Sequence, residues 1–151
     1  MSKQFYQFIG IFVCFLTFTG IYAQNPIEVS KVCLGCICEA VSGCKTTLGC
    51  NGDVCGPFRI THAYWVDAGK PTLNNEANTN EGAYPNCVND AFCAGNAVES
   101  YMKKFGRDCN GDGIVNCDDY IRIHRYGKNG CMNQLDSKLE YVYKTCIQMF
   151  N

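Results

Sequence analysis

The chain lacks the features of a nucleic-acid-binding or membrane-resident protein. Lysine and arginine number 13 against 14 aspartates and glutamates, which gives a net charge of −1, and no basic cluster is visible. Nucleic-acid-binding surfaces need clustered positive charge. After the amino-terminal segment, no apolar run approaches the ~18 residues of a membrane span. No Asn-x-Ser/Thr sequon is present. We therefore expect no nucleic-acid partner, no membrane partner and no N-linked glycan.

The amino terminus is the one strongly apolar part of the sequence. Lys3 precedes an apolar run over residues 5–22, and the small Ala23 follows it. This order is typical of a secretory signal peptide. A membrane anchor is the alternative, because the run is nearly long enough to span a bilayer. We favour cleavage, which makes residues 1–23 a signal peptide and residues 24–151 a single secreted domain.

Cysteine is the residue type that the chain has in excess. All but Cys14 of its 13 cysteines lie after residue 30, so the mature chain keeps an even number. Such a density in a short chain predicts a disulfide-rich domain in an oxidising, extracellular compartment. Spacing alone does not give the pairing of so many cysteines.

Local patterns predict a mainly helical α+β fold. Ser30 is a suitable cap for a helix starting at Lys31, and Gly43 is a suitable end. Residues 48–57 are rich in glycine and predict turns, and residues 68–84 predict an exposed loop. Residues 58–66 are aromatic and β-branched, and predict a strand or hairpin. Helical periodicity predicts three further helices, over residues 85–105, 118–126 and 135–149.

Several motifs occur in an order that is characteristic of one family. Cys33-Leu-Gly-Cys-Ile-Cys-Glu-Ala-Val-Ser-Gly-Cys44 comes first, then Cys55-Gly-Pro-Phe-Arg-Ile60, and later Ile123-His124. From about Cys33 to Cys146 the chain resembles the invertebrate-type (i-type) lysozymes, the destabilase-lysozyme family. The resemblance implies a lysozyme-like α+β fold, mainly helical with a small β-hairpin, and a saccharide groove between these parts.

The resemblance also implies a disulfide pattern. The expected pairs are Cys33–Cys117, Cys36–Cys146, Cys38–Cys44, Cys50–Cys55, Cys87–Cys93 and Cys109–Cys131. Many relatives carry a seventh bridge, whose cysteines correspond to Ala68 and about Ala97 here. The joint loss of both partners is consistent with this alignment.

The implied activity is hydrolysis of the β-1,4 bond between N-acetylmuramic acid and N-acetylglucosamine in bacterial cell walls. Such hydrolysis needs two carboxyl groups, an acid and a nucleophile or stabiliser. The family's acid is a Glu before Ser-Gly-Cys, and Val41 occupies that position. Asp53 matches the second carboxylate, although an aspartate in Asn-Gly-Asp is also an ordinary turn residue. Glu39 is a poor substitute, because two helical residues differ by about 200° in direction.

The resemblance places five further side chains near the groove: His62, Tyr64, Trp65, Tyr101 and His124. Core packing is an equally good interpretation of Trp65 and Tyr101. Some relatives are linked with isopeptidase activity through a serine and a base. His124 is the candidate base, but the serine position is Asn86, so this dyad is incomplete.

One acidic loop follows the register of an EF-hand calcium site. Its oxygen ligands would come from Asp108, Asn110, Asp112, Ile114, Asn116 and Asp119, with Gly113 at the turn. Asp119 stands where EF-hands usually have Glu. The alternative, which we favour, is an Asp/Asn/Gly-rich turn held by Cys109 and Cys117. No cofactor is required by the expected chemistry, and calcium is the only candidate.

These observations leave three hypotheses open. The protein is a secreted lysozyme homologue with weak or altered hydrolase activity, a non-catalytic binder of peptidoglycan or chitin oligosaccharides, or an extracellular domain that keeps only the scaffold. Val41 favours the second and third. Asp53, His124 and the aromatic residues favour the first and second.

Overall fold

The computed structural model describes residues 28–150, so the predicted signal peptide lies outside the described residues. Within this range, no helix combines the length and apolarity that crossing a membrane needs. The fold consists of helices around a small sheet and one 3-10 turn at Leu73–Asn75. The helices are α1 (Lys31–Ser42), α2 (His62–Asp67), α3 (Ala83–Asn89), α4 (Ala91–Phe105), α5 (Cys117–Gly130) and α6 (Ser137–Gln148); the strands are β1 (Cys50–Asn51), β2 (Val54–Cys55) and β3 (Ile60–Thr61).

Helix α1 has the boundaries that its end residues predict. The Ser30 hydroxyl accepts a hydrogen bond from the Cys33 N–H at 3.1 Å. Gly43 ends the helix with φ +65°, a conformation that glycine adopts without the steric cost of a Cβ. The buried face carries Cys36 and Ile37. The predicted cap and end of this helix are confirmed.

The sheet is antiparallel and has the strand order β1-β2-β3. Residues 48–57, predicted as turns, contain β1 and β2, while in residues 58–66 only Ile60 and Thr61 are extended. The strand prediction for residues 62–66 is wrong, because the Thr61 hydroxyl accepts from the Tyr64 N–H at 3.2 Å and starts helix α2. Gly56 is required between β2 and β3, since a Cβ there would lie 1.6 Å from the Val88 carbonyl oxygen.

The remaining helices follow the predicted periodicity with one interruption. The helix expected over residues 85–105 is two helices, because the Asp90 carboxylate caps α4 by accepting from the Phe92 and Cys93 N–H groups. Helix α5 is longer than predicted and is kinked at Gly127, where φ is +70°. Helix α6 starts at the cap residue Asp136.

Six disulfides hold these elements together, and each joins the pair that the family resemblance implies. Cys36–Cys146 joins α1 to α6, and Cys33–Cys117 joins α1 to the start of α5. Ala68 and Ala97, at or near the positions that the resemblance assigns to the seventh bridge, are both buried. The long-range bridges fix α1 against the carboxy-terminal helices, and this arrangement sets one wall of the groove described below.

Candidate functional site

A groove of about 690 Å³ lies between α1, the sheet, α2 and the two carboxy-terminal helices. Four of the residues singled out from the sequence line it: Val41, Tyr64, Tyr101 and His124. They come from four different helices, α1, α2, α4 and α5. The fold therefore brings together residues that are up to 83 positions apart in the chain.

His124 is held by hydrogen bonds at both ring nitrogens. Its Nε2 lies 2.8 Å from the Phe58 carbonyl oxygen, which can only accept, so Nε2 carries the proton. Its Nδ1 lies 3.2 Å from the Tyr64 hydroxyl and accepts from it. Burial, opposed by the bond to Phe58 and assisted by the charge of Arg125, lowers the pKa of His124 to about 4. The imidazole is thus neutral and fixed in one tautomer at neutral pH.

Two stacked tyrosines form the wall beside this imidazole. The rings of Tyr64 and Tyr101 lie 3.8 Å apart and nearly parallel, with an interplanar angle of 13°. Burial raises the pKa of Tyr64 well above its usual value, and the charge that Tyr101 would carry adds to this. The Tyr64 hydroxyl therefore stays protonated and keeps donating to His124. Tyr101 belongs both to the core, being 5% exposed, and to the groove lining.

The position that the family resemblance assigns to the catalytic acid is apolar. Val41 is half-buried in the groove wall beside Ala40, near the end of α1. Glu39 is exposed and lies outside the set of groove-lining residues. This agrees with the helical rotation that separates the two residues. The Ser42 hydroxyl donates to the Pro57 carbonyl oxygen and so ties the end of α1 to the sheet.

Asp53 lies in the tight turn between β1 and β2 and is exposed. The Tyr84 hydroxyl donates to its backbone carbonyl at 3.0 Å, which fixes the position of the turn. The next residue, Val54, lines the groove, whereas Asp53 is at its edge and does not. A role for Asp53 as nucleophile stays a prediction.

His62 and Trp65 are not among the residues that line the groove. Trp65 is 2% exposed and its Nε1 donates to the Pro71 carbonyl at 2.7 Å. His62 is exposed at the start of α2, and its ring centroid lies 5.5 Å from that of Trp65. The structure places Trp65 in the core, which was the alternative interpretation of this residue. Substrate contact by His62 or Trp65 stays a prediction.

Comparison with known proteins identifies the family. Residues 30–146 match the family described as Destabilase. The chain belongs to this family. It is 41% identical to a lysozyme of Magallana gigas over 77% of each chain, and 40% identical to invertebrate-type lysozyme 3 of Caenorhabditis elegans over 78% of this chain and 81% of that one. The predicted family is thereby confirmed.

Solved structures support the same assignment for this destabilase-family protein. The Meretrix lusoria lysozyme, solved in complex with Aeromonas hydrophila PliI, superposes with a TM-score of 0.58 at 31% identity, covering 80% of this chain and 90% of that one. The Tapes japonica lysozyme gives a TM-score of 0.55 at 32% identity, over 78% and 88% of the two chains. The lysozyme-like α+β fold is confirmed.

The groove of this destabilase-family protein also contains charged residues that the sequence patterns did not identify. Asp67 lies 3.6 Å from the Lys128 ammonium, and the Asp136 carboxylate lies 3.7 Å from the Arg125 guanidinium. The other Asp136 oxygen accepts from the Leu139 N–H at 3.0 Å. The only sequence signal for Asp136 is its position as the cap of α6. Its location on the groove depends on how α6 packs, which the local sequence does not show.

The EF-hand-like loop is closed by its own backbone amides. Asp119 is fully buried, and its oxygens accept from the backbone N–H groups of Cys109, Asn110 and Asn116. Asp108 accepts from two glycine N–H groups, which lower its pKa. Within residues 28–150, no group of three or more His, Cys, Asp or Glu side chains could hold a metal ion. This geometry fits the alternative of a self-stabilised turn.

His124 gives the protein a defined dependence of stability on pH. Its pKa is about 4 in the folded state against an ordinary value of 6.5, so the unfolded chain binds a proton first as the pH falls. Above pH 6.5 the imidazole is neutral in both states and costs no stability. As the pH falls from 6.5 towards 4, its protonation in the unfolded chain lowers the free energy of unfolding by about 3 kcal/mol at most. We expect His124→Gln to remove this part of the pH dependence in urea unfolding measured at several pH values.

The other histidine of the chain provides the control. His62→Gln removes the exposed imidazole outside the groove lining, and its urea unfolding is measured at the same pH values. An equal effect of the two substitutions would contradict the buried, neutral state of His124.

Proposed function

We propose that this protein is a secreted lysozyme homologue whose groove binds bacterial cell-wall saccharides, or related chitin oligosaccharides, with weak or no hydrolysis. Family membership supports a lysozyme-type groove. The predicted signal peptide and the dense disulfides support secretion. The protein would act by binding the glycan, in bacterial defence or digestion.

The observation that carries this proposal is Val41 in the groove wall. Glycoside hydrolysis requires a carboxylic acid to protonate the leaving oxygen. A valine has no proton to give, and its half-buried position is the kind of environment in which a lysozyme acid is kept protonated. General-acid catalysis contributes about 10²–10⁴-fold, so turnover should be low even if the glycan binds normally.

The carboxylates that do line the groove are poor replacements. Asp67 is close to the Lys128 ammonium, and Asp136 caps α6 and faces Arg125. Each already serves as an acceptor for a cation or an amide. Neither occupies the apolar wall at residue 41, where the family's acid would stand.

The groove retains what a saccharide needs for binding. Its volume of about 690 Å³ falls within the usual range for ligand sites, about 300–1,000 Å³. Its lining mixes apolar surface, from Ala40 and Val41, with polar groups, from Thr61 and His124. Apolar patches that fit the carbon face of a sugar, beside fixed hydrogen-bonding groups, are typical of such sites.

Isopeptidase activity receives less support. The residue at the serine position, Asn86, carries an amide and is directed towards Glu76 at 3.5 Å. The candidate base, His124, already uses both ring nitrogens for Tyr64 and Phe58. A nucleophile activated by this histidine would first have to displace the Tyr64 hydroxyl.

Binding to the groove can be tested by adding bulk to its wall. Ala63 is an exposed alanine on α2 that lines the groove. We expect Ala63→Leu to weaken binding to insoluble peptidoglycan and to N-acetylglucosamine oligomers by about tenfold, or about 1.4 kcal/mol, because the added atoms fill space that the sugar occupies. Co-sedimentation and calorimetric titration measure both.

The matched control is Ala91→Leu, since Ala91 is an equally exposed helical alanine outside the groove lining. Equal loss in both variants would place the binding surface elsewhere. Absence of any binding by the wild type would leave only the scaffold hypothesis.

A further inference from the structure

Arg59 adopts a backbone conformation that arginine rarely takes. Its φ is +53°, in the left-handed region that favours glycine. It follows Gly56-Pro-Phe in the connection between β2 and β3, and its N–H donates to the Gly56 carbonyl at 3.1 Å. Residues held in this region cluster at functional sites, where the surrounding structure maintains them. The conformation sets the direction in which the Arg59 side chain leaves the sheet.

The Arg59 side chain lines the groove and is half-buried. Among the described residues, it has no carboxylate within ion-pair distance, and no acceptor is bonded to its guanidinium. Arg125, a second groove arginine, is by contrast 3.7 Å from Asp136. Arg59 is therefore a groove-lining residue whose five guanidinium N–H donors have no acceptor among the described residues.

The charge balance of the groove adds a second argument. The lining contains three cationic residues, Arg59, Arg125 and Lys138, and two carboxylates, Asp67 and Asp136. Both carboxylates already have a cationic neighbour. The uncompensated charge of the lining is therefore positive, and it belongs to the half-buried Arg59 and the exposed Lys138.

Arg59 lies at the sheet end of the groove, near the turn that holds Asp53. Both residues act on the Tyr84 hydroxyl: burial and the charge of Asp53, opposed by Arg59, together raise the pKa of Tyr84 to about 12. Asp53 is beyond ion-pair distance from Arg59. The guanidinium is thus near the hairpin but forms no ion pair with its aspartate.

We propose that Arg59 binds an anionic group, a carboxylate or a sulfate, on the saccharide in the groove, so that the groove prefers acidic glycans to neutral ones. A planar guanidinium matches the two oxygens of such a group with paired hydrogen bonds. This inference rests on the proposed saccharide-binding function and specifies the chemical class of its ligand. Arg59 is a specificity-determining residue in this account, with no role in bond cleavage.

The test is calorimetric titration of the full mature protein with three tetrasaccharides of matched length. One is an N-acetylglucosamine oligomer, which is neutral. The second alternates N-acetylglucosamine with N-acetylmuramic acid and carries carboxylates. The third is a sulfated N-acetylglucosamine oligomer. The wild type should bind at least one acidic oligomer about tenfold more tightly than the neutral one, and the preferred oligomer distinguishes a carboxylate ligand from a sulfate ligand.

Variants at position 59 separate binding from folding. Arg59→Gln should bind acidic and neutral oligomers equally, with neutral binding unchanged. Arg59→Gly should do the same with a thermal midpoint at or above that of the wild type, because glycine relieves the positive φ. Lys103→Gln, which removes one exposed positive charge outside the groove lining, should keep the full preference.

Three results would overturn the proposal. Equal wild-type binding of neutral and acidic oligomers would remove the preference while leaving the saccharide-binding function intact. A preference that survives Arg59→Gln, or that is lost equally in Lys103→Gln, would assign it to other charges. Failure to bind any of the oligomers would reject the proposed function and this inference with it.

Discussion

Val41→Glu is expected to raise peptidoglycan hydrolysis by about 10²–10⁴-fold over the wild type, the usual contribution of a general acid. The substitution places a carboxyl in the groove wall near the end of α1, beside Ala40. Partial burial next to apolar groups favours the protonated form of a carboxyl. The rate of release of reducing ends from insoluble peptidoglycan measures the gain.

Val41→Gln is the matched control for this gain. Glutamine has nearly the size of glutamate and can hydrogen-bond a sugar, but it has no acidic proton. It should bind the wall and leave turnover at the wild-type level. If Val41→Glu binds peptidoglycan but does not hydrolyse it, the groove does not position residue 41 at the scissile bond.

The same variant tests the assignment of Asp53. If Asp53 supplies the second carboxylate, Asp53→Asn added to Val41→Glu should abolish the gain, because one carboxyl alone does not complete the reaction. Asp53 is exposed in a turn, so its replacement should leave the fold intact. A double variant that retains the full gain would exclude Asp53 and direct attention to Asp67 and Asp136.

Replacing both Cys36 and Cys146 by Ala is expected to lower the free energy of unfolding by about 5 kcal/mol. This bridge closes the longest segment among the six, with a sequence separation of 110 residues. Closing a long loop removes more conformational freedom from the unfolded chain than closing a short one. Removing the Cys50–Cys55 bridge, with a separation of 5, should cost only about 2 kcal/mol.

Urea unfolding of the two double variants under non-oxidising, non-reducing conditions gives this comparison directly. Loss of the Cys36–Cys146 bridge should also disturb the groove. Cys36 lies on α1, one turn before the groove residue Ala40, and α1 packs against α6. The opposite order of stabilities would mean that local geometry outweighs loop closure in this fold.

The sequence predicted the elements whose ends carry local signals. Ser30 and Gly43 define α1 because capping and the left-handed end involve only neighbouring residues. The aromatic, β-branched segment 58–66 was predicted as a strand, but the strand ends at Thr61. Thr61 is the last strand residue and also caps α2. Apolar residues keep a helical spacing before and after Asp90, so periodicity alone predicted one helix. The structure has two, α3 and α4, separated at Asp90.

The site was predictable only in part, for a related reason. The family resemblance identified Val41, Tyr64 and His124, which all line the groove. Tyr64 and Trp65 are adjacent in the chain, but about 100° of helical rotation directs them to opposite environments. The places of Arg59 and Asp136 on the groove depend on long-range packing, which no local pattern encodes.

The most direct test of the central claim uses the wild-type protein on insoluble peptidoglycan, with bound protein and released reducing ends measured in the same sample. We predict that the protein sediments with the wall and that release does not exceed that of Val41→Gln. Binding accompanied by release at the rate of Val41→Glu would contradict the account, because a group other than residue 41 would then supply the proton.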